Sequence, residues 1–172
     1  MSVGKTCPST ALACVKWPTW EDWEDWCTEQ APEGVERIEP PTTHRSKRAR
    51  RQGRAPADLG GIVDGLEVKA ECKQHNTSSD GGGWRISKLK EHQGQALELC
   101  HLGGGVAGVL VCFDGTPWWL PWVALREAWA LVGVARVGVK TLSSEWLQVH
   151  AVAIDAQAGW WAAVQQHQGT IA

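Results

Sequence analysis

The chain has 172 residues, 43% of them hydrophobic, and a formal net charge of -2. This length and composition fit one compact domain whose core needs no disulfides. The six cysteines include no Cys-x-x-Cys pair, which argues against a zinc site and for free thiols in a reducing cytoplasm. No apolar run predicts a signal peptide or a membrane span. The net charge by itself gives no support for nucleic-acid binding.

The chain opens with a predicted arm and an aromatic helix. Residues 1–15 lack periodicity and predict a flexible arm, and residues 16–172 predict a single domain. Tryptophans recur every three residues at positions 17, 20, 23 and 26, among Glu-Asp pairs. This spacing places a broad aromatic stripe on a helix, which we expect to pack in the core or against another subunit.

Charge is segregated in the next part of the chain. Residues 21–39 carry eight acids against one base, whereas residues 45–54 carry six bases and no acid. A block of like charges repels itself and offers its cations to an external polyanion such as DNA. A solvated loop, or a contact with the acidic segment, is the alternative. The six bases are Arg45, Lys47, Arg48, Arg50, Arg51 and Arg54.

The remaining elements alternate between strands and helices, which predicts an α/β domain with a central mixed sheet flanked by helices. The apolar run at 106–113 is typical of a strand buried on both faces. Asp114-Gly115 predicts a hairpin turn after it. The predicted strands are 35–39, 56–63, 65–72, 106–113, 118–120 and 134–139, with a further apolar run at 149–154. The predicted helices are 86–101, 121–132 and a closing helix around Trp160, with a polar loop at 73–84.

The candidate chemistry lies around Asp58, Glu67 and Lys69. Glu67 and Lys69 are two residues apart and share one face of their predicted strand. If Asp58 ends the preceding strand, the glycines between let the chain double back and bring its carboxylate beside that of Glu67. Two carboxylates and an ammonium suit a divalent cation that acts on a phosphate. A solvated Glu-x-Lys face is the alternative.

Gln93 falls on the apolar stripe of the predicted helix 86–101. An amide that faces inward needs hydrogen-bond partners, and the strand carrying Glu67 and Lys69 is the natural place for them. The alternative is a core glutamine that is satisfied by backbone groups.

These motifs, in this order along the chain, resemble those of the PD-(D/E)xK nuclease superfamily and, within it, of the RecU-type Holliday-junction resolvases. The resemblance covers roughly residues 20 to 120. The matching segments are Trp20-Glu21, residues 37–42, the basic run, Asp58-Leu-Gly-Gly, Glu67-Val-Lys69 and residues 88–93 up to His92-Gln93. The sequence departs from the family in a shorter projection and in Leu59 where the family has tyrosine.

The resemblance implies a restriction-endonuclease-like fold and a metal-dependent enzyme that resolves four-way DNA junctions by paired nicks. Asp58, Glu67 and the backbone carbonyl of Val68 would hold Mg²⁺ or Mn²⁺. Lys69 would stabilise the charge on the phosphorus or help to orient the attacking water, and Gln93 would position the same group of residues. The acid of the N-terminal helix would be Glu21, with Glu24 and Glu29 as alternatives.

The basic residues, in a projection at 43–55, would enter the junction. Two symmetric nicks imply a homodimer. The protein would act in the bacterial cytoplasm and would be encoded by a bacterium or by a bacterial virus. Two alternatives stay open: another nuclease on the same scaffold, of restriction or repair type, and a DNA-binding or assembly module whose carboxylates are structural.

Overall fold

A six-stranded mixed sheet with helices on both faces forms the protein, as the sequence predicts for an α/β domain. The computed structural model describes residues 19–39, 42–43, 50–51, 57–77, 82–134 and 141–171. The helices are α1 (Trp20–Glu29), α2 (Glu91–Leu102), α3 (Trp122–Val134), α4 (Ser144–His150) and α5 (Trp160–Ile171). The strands are β1 (Val35–Arg37), β2 (Thr42–Thr43), β3 (Arg50–Arg51), β4 (Leu59–Val63), β5 (Leu66–His75), β6 (Trp84–Arg85), β7 (Val106–Phe113), β8 (Thr116–Pro121), β9 (Thr141–Leu142) and β10 (Val152–Ala153).

The strand order in the main sheet is β1-β4-β5-β7-β8-β10. β5 and β7 pair in parallel, and the crossover between them contains α2. The other neighbours pair antiparallel. β2 pairs with β3, and β6 pairs with β9, in two separate two-stranded ribbons. The crossover therefore lays α2 along β5, the strand that carries most of the charged residues discussed below.

Two tight turns fix the antiparallel hairpins of the sheet. Asp64 and Gly65 join β4 to β5 with φ values of 51° and 81°, and Asp114 and Gly115 join β7 to β8 with 49° and 79°. Positive φ at both central positions is the geometry of the type I′ turn, which matches the twist of the flanking strands. Each Asp-Gly pair thus sets the register of its hairpin.

The sheet separates two hydrophobic clusters. On one face, α1 and α5 cover the sheet, and Trp160 stacks on Trp119 at 6.1 Å between ring centres. The Trp160 indole N–H also donates to the carbonyl oxygen of Cys27 at 2.9 Å. On the other face, α2, α3 and α4 cover β7, whose eight residues are all buried. The cysteines in the described segments are buried and free, as predicted for core thiols.

The edge strand β1 is held to β4 by backbone groups at very short range. The amide of Ile62 donates to the carbonyl of Gly34 at 3.1 Å. A Cβ at Gly61 would overlap the same carbonyl of Gly34, which itself has a φ of +90°. The two backbone segments can approach this closely because residues 34 and 61 are both glycine.

Several predicted boundaries are wrong. Strand β5 continues to His75, so the loop predicted at 73–84 is shorter, and its start is tied down because the Thr77 amide donates to Asp114 at 2.7 Å. A 3₁₀ turn occupies Ile86–Lys88, and the helix begins only at Glu91. The apolar run at 149–154 is split between the end of α4 and β10, because it covers the sheet edge beside β8.

Some predictions fall outside the described residues. These are the arm at 1–15, Trp17 and most of the strand predicted at 134–139, whose first residue instead ends α3. In the described segments, the longest helices fall short of the length and apolar character that a bilayer crossing requires.

Two helical glycines give a test of the packing between α2 and α3. A Cβ on Gly94 would overlap the indole ring of Trp129, whereas a Cβ on Gly169 in α5 would meet open space. We expect Gly94→Ala to lower the free energy of unfolding by about 1–3 kcal/mol, the usual cost of overpacking. Gly169→Ala should raise it by about 0.5–1 kcal/mol. Urea denaturation measures both, and equal stability of the two variants would contradict the tight contact.

Candidate functional site

The β4–β5 hairpin brings Asp58 opposite Glu71. The register pairs Leu59 with Ala70 and Val63 with Leu66, so Asp58, the residue before β4, lies across from Glu71. Asp58 Oδ2 accepts a hydrogen bond from the Cys72 amide at 2.9 Å. The carboxylates of Asp58 and Glu71 therefore meet at one end of the hairpin.

Lys73 and Gln93 complete this group. The Lys73 ammonium lies 2.7 Å from Glu71 Oε1 and 3.8 Å from Asp58 Oδ2. The side-chain amide of Gln93 donates to the same oxygen of Glu71. We call Asp58, Glu71, Lys73 and Gln93 the cluster.

Glu71 is the most deeply buried member of the cluster, with a solvent exposure of 0%. Burial raises the pKa of the Glu71 carboxyl to about 8, while the charge of Lys73 lowers it and that of Asp58 raises it. Its second oxygen, Oε2, is buried and has no hydrogen-bond partner. A buried carboxylate oxygen without a donor is unfavourable unless a cation or a proton reaches it.

Glu24 from α1 lies next to the cluster. Its carboxylate pairs with Arg37 at 2.7 Å and is largely buried. Burial raises the pKa of Glu24, the charge of Arg37 lowers it, and the charge of Asp58 raises it. The carboxylates of Glu24 and Asp58 therefore repel each other. Arg37 also contacts Asp25 at 3.3 Å and Glu39 at 3.9 Å, and its charge is thus shared among three acids.

An aromatic ring borders the ammonium of the cluster. The Lys73 nitrogen lies 5.8 Å from the centre of the Trp20 ring, which is within the range of a cation–π interaction. Trp20 is the first residue of α1, and Thr19 caps that helix by accepting from the Asp22 amide at 3.1 Å. The cap fixes where α1 begins and so where Trp20 and Glu24, one turn apart, meet the sheet.

Helix α2 is held in place by a polar contact with α3. The carboxylate of Glu98 accepts from the indole N–H of Trp122 and from the guanidinium of Arg126. Gln93 lies upstream on the same helix, and its Oε1 also accepts from the Lys90 amide at 2.9 Å. The Gln93 side chain is therefore oriented from both of its ends.

The structure does not bring Glu67 beside Asp58, so that prediction is wrong. Ile62, not Asp58, is the pairing partner of Glu67, which lies near the turn and four residues from Glu71. Glu67 pairs with Lys69 at 2.6 Å, and these two side chains are 45% and 21% exposed. The carbonyl of Val68 belongs to that part of the strand as well.

The other predicted site residues have mixed outcomes. Gln93 does face strand β5, as predicted, but its partner there is Glu71. Glu21 is exposed in the first turn of α1, and Glu24, one of its two alternatives, is the acid that interacts electrostatically with Asp58 and Lys73. Of the basic segment, Arg50 and Arg51 form β3 and pair with β2, while its other four cations lie outside the described residues.

The missed residues, Glu71 and Lys73, carried a signal in the sequence. Asp64-Gly65 is a strong type I′ hairpin pair, and counting outward from it places Asp58 opposite Glu71. Glu71-Cys72-Lys73 then repeats the Glu-x-Lys pattern four residues further along the same face. Gly60 and Gly61 do not fold Asp58 back onto Glu67, because both belong to β4 and only Gly65 lies in the turn.

The cluster suits a divalent cation by its donor set. Asp58 and Glu71 supply carboxylate oxygens, one of them the unpartnered Oε2 of Glu71. No set of three His, Cys, Asp or Glu side chains converges as a ready-made metal site among the residues that the structure describes. Two carboxylates completed by water and substrate phosphate are a usual Mg²⁺ environment, so the residues present fit that ion.

No family model matches this chain, and no curated protein matches it either.

The coupling between Lys73 and Glu71 can be measured by stability. At pH 9, above the Glu71 pKa of about 8, the Glu71 carboxyl of the wild-type protein is ionised; Lys73→Met removes the cation that lowers this pKa, so the carboxyl must stay buried without its cation or take up a proton. We expect the free energy of unfolding to fall by about 1.5–3 kcal/mol, the range for a hydrogen bond to a charged group. The same change in a Glu71→Gln background should cost clearly less. Urea denaturation in EDTA tests this, and equal losses in both backgrounds would refute the coupling.

Proposed function

We propose that this protein is a divalent-metal-dependent DNA endonuclease of the PD-(D/E)xK type that acts on branched DNA as a Holliday-junction resolvase. The observation that carries the proposal is the convergence of Asp58, Glu71 and Lys73 at one end of the β4–β5 hairpin. Asp58 with Glu71-Cys72-Lys73 resembles the Asp and Glu-x-Lys of that superfamily. The mixed sheet with helices on both faces supports a restriction-endonuclease-like fold.

Each member of the cluster has a role that follows from its contacts. Asp58 and Glu71 would hold Mg²⁺ or Mn²⁺. Because Glu71 takes the place first expected for Glu67, the backbone carbonyl proposed as a further ligand is that of Cys72 and not that of Val68. When bound, this ion polarises a phosphate oxygen and lowers the pKa of a water molecule.

Lys73, within reach of both carboxylates, stabilises the negative charge that develops on the phosphate. Gln93 orients Glu71 by donating to its Oε1. Trp20 limits the positions that the Lys73 ammonium can take.

The basic segment is the reason for proposing branched DNA as the substrate. β2 and β3 form a two-stranded ribbon outside the main sheet, between β1 and Asp58 in the chain. The segment carries six cations in ten residues, which a phosphate backbone would attract. A four-way junction needs two symmetric nicks, so the proposal includes a two-fold homodimer, whose mass sedimentation analysis would report.

Cleavage of a labelled synthetic junction tests the proposed site. Asp58→Asn, Glu71→Gln and Lys73→Ala should each lower the Mg²⁺-dependent rate by at least about 10²-fold, because each removes a charge on which the reaction depends. Junction binding should be largely retained, since affinity comes mainly from phosphate contacts elsewhere. Glu127→Gln, the same type of change at an exposed position of α3, is the matched control and should cut normally.

The result that would refute this assignment is an active Glu71→Gln variant together with an inactive Glu67→Gln variant, because it would restore the pairing first expected from the sequence. Absence of Mg²⁺ binding and of cutting in the wild-type protein would favour a DNA-binding or assembly module.

A second test concerns the basic segment. Replacing Arg48, Arg50 and Arg51 with alanine should weaken junction binding and reduce the preference for junction over linear duplex. The slope of log affinity against log salt should fall by about 0.9 for each phosphate of a duplex arm that is no longer bound. Residual cutting at low salt should still require the metal, because the cluster is unchanged. Unchanged affinity and salt slope would contradict a role of the segment in DNA binding.

A further inference from the structure

One face of β5 carries an unbroken row of ionisable side chains. They alternate with the buried residues Val68, Ala70 and Cys72 of the opposite face. Along the row, side-chain exposure falls from 45% at Glu67 through 21% at Lys69 to 0% at Glu71. The row is Glu67, Lys69, Glu71, Lys73 and His75. It thus leads from solvent directly to the cluster.

Lys69 has small residues on both sides along the sheet. Its pairing partner on β4 is Gly60, over which the Ile38 side chain lies, and its neighbour on β7 is the buried Ala107. α2 runs along the row in the opposite direction, from Gln93 at Glu71 to Cys100, whose sulfur lies 3.6 Å from the carbonyl oxygen of Glu67. The Lys69 side chain is therefore bordered by α2 and by Ile38, and 21% of its surface remains exposed to solvent.

The ion pair between Lys69 and Glu67 adds little to the fold. Both residues belong to the same strand, so their contact at 2.6 Å joins no two elements. Exposed pairs of this kind contribute little to stability, because water and salt compete for both charges. The partly buried lysine is thus available to a stronger anion.

We propose that Lys69 binds the DNA phosphate next to the one held at the cluster, and that Glu67 competes with DNA for this ammonium. Two residues along a strand separate Lys69 from Glu71 by about 6.7 Å, a step comparable to that between neighbouring phosphates of one DNA strand. The inference rests on the proposed nuclease function and adds a substrate-binding residue to it. Glu67 keeps Lys69 folded against the strand until phosphate displaces it.

Binding of a labelled linear duplex in EDTA, followed by fluorescence anisotropy over a range of salt concentrations, tests the proposal without cleavage. Lys69→Ala should weaken binding and lower the slope of log affinity against log salt by about 0.9, the effect of releasing one phosphate. Glu67→Gln should tighten binding about two- to fivefold, because an exposed ion pair that competes with DNA lowers the affinity by about that factor.

The double variant separates a local effect from a change in net charge. If Glu67 acts through Lys69, the gain from Glu67→Gln disappears when Lys69 is alanine. Glu127→Gln makes the same change in charge on α3 and should leave the affinity near that of the wild type. In cleavage of the synthetic junction, Lys69→Ala should raise KM more than it lowers kcat, as expected for a residue that binds substrate and transition state equally.

The outcomes distinguish this inference from the nuclease proposal. Wild-type cutting combined with an unchanged salt slope in Lys69→Ala, or with an equal gain from Glu67→Gln in both backgrounds, overturns the role of Lys69 alone. Lys69-dependent binding by a wild-type protein that never cuts overturns the nuclease and keeps the phosphate contact. A wild-type protein that binds no DNA overturns both.

Discussion

The register of the β4–β5 hairpin decides which charges meet in this protein. With Leu59 opposite Ala70, Asp58 lies across from Glu71, and the carboxylates of the two strands converge. A shift by one residue would turn every side chain of β5 to the other face and place Ala70 and Cys72 where Glu71 and Lys73, respectively, now lie. The hydrophobic packing against α1 and α5 opposes such a shift, because Val68, Ala70 and Cys72 are completely buried in it.

The cluster concentrates ionisable groups where the rest of the interior is apolar. The four polar or charged residues that are buried in the described segments are Glu24, Glu71, His75 and Gln93, and the two acids carry raised pKa values. Burying such groups is unfavourable for folding unless they are paired, and all four lie on β5 or on the two helices that pack against it. The ionic partners Arg37 and Lys73 reduce the cost, yet one oxygen of Glu71 stays without a donor.

The sequence predicts the layers of this fold better than the partners within its site. The apolar run of β7 and the inward position of Gln93 follow from periodicity, because burial on a strand or helix has a fixed repeat. Glu67-Val68-Lys69 and Glu71-Cys72-Lys73 have the same period and the same face, so alternation cannot choose between them. Only the long-range pairing, read outward from the Asp64-Gly65 turn, separates the two. Glu24 is harder still, since the approach of α1 to the sheet depends on tertiary packing.

The close contact of β1 with β4 has a consequence for which sequences this fold can accept. Gly61 leaves no space for any side chain against the carbonyl of Gly34, and Gly34 has a left-handed backbone conformation. A larger residue at Gly61 would push β1 outward, and Arg37 at the end of that strand would move away from Glu24. Two positions without side chains at the sheet edge thus control a charge that faces the site. Neutral drift at this edge is accordingly restricted, even though most of the side chains of β1 are exposed.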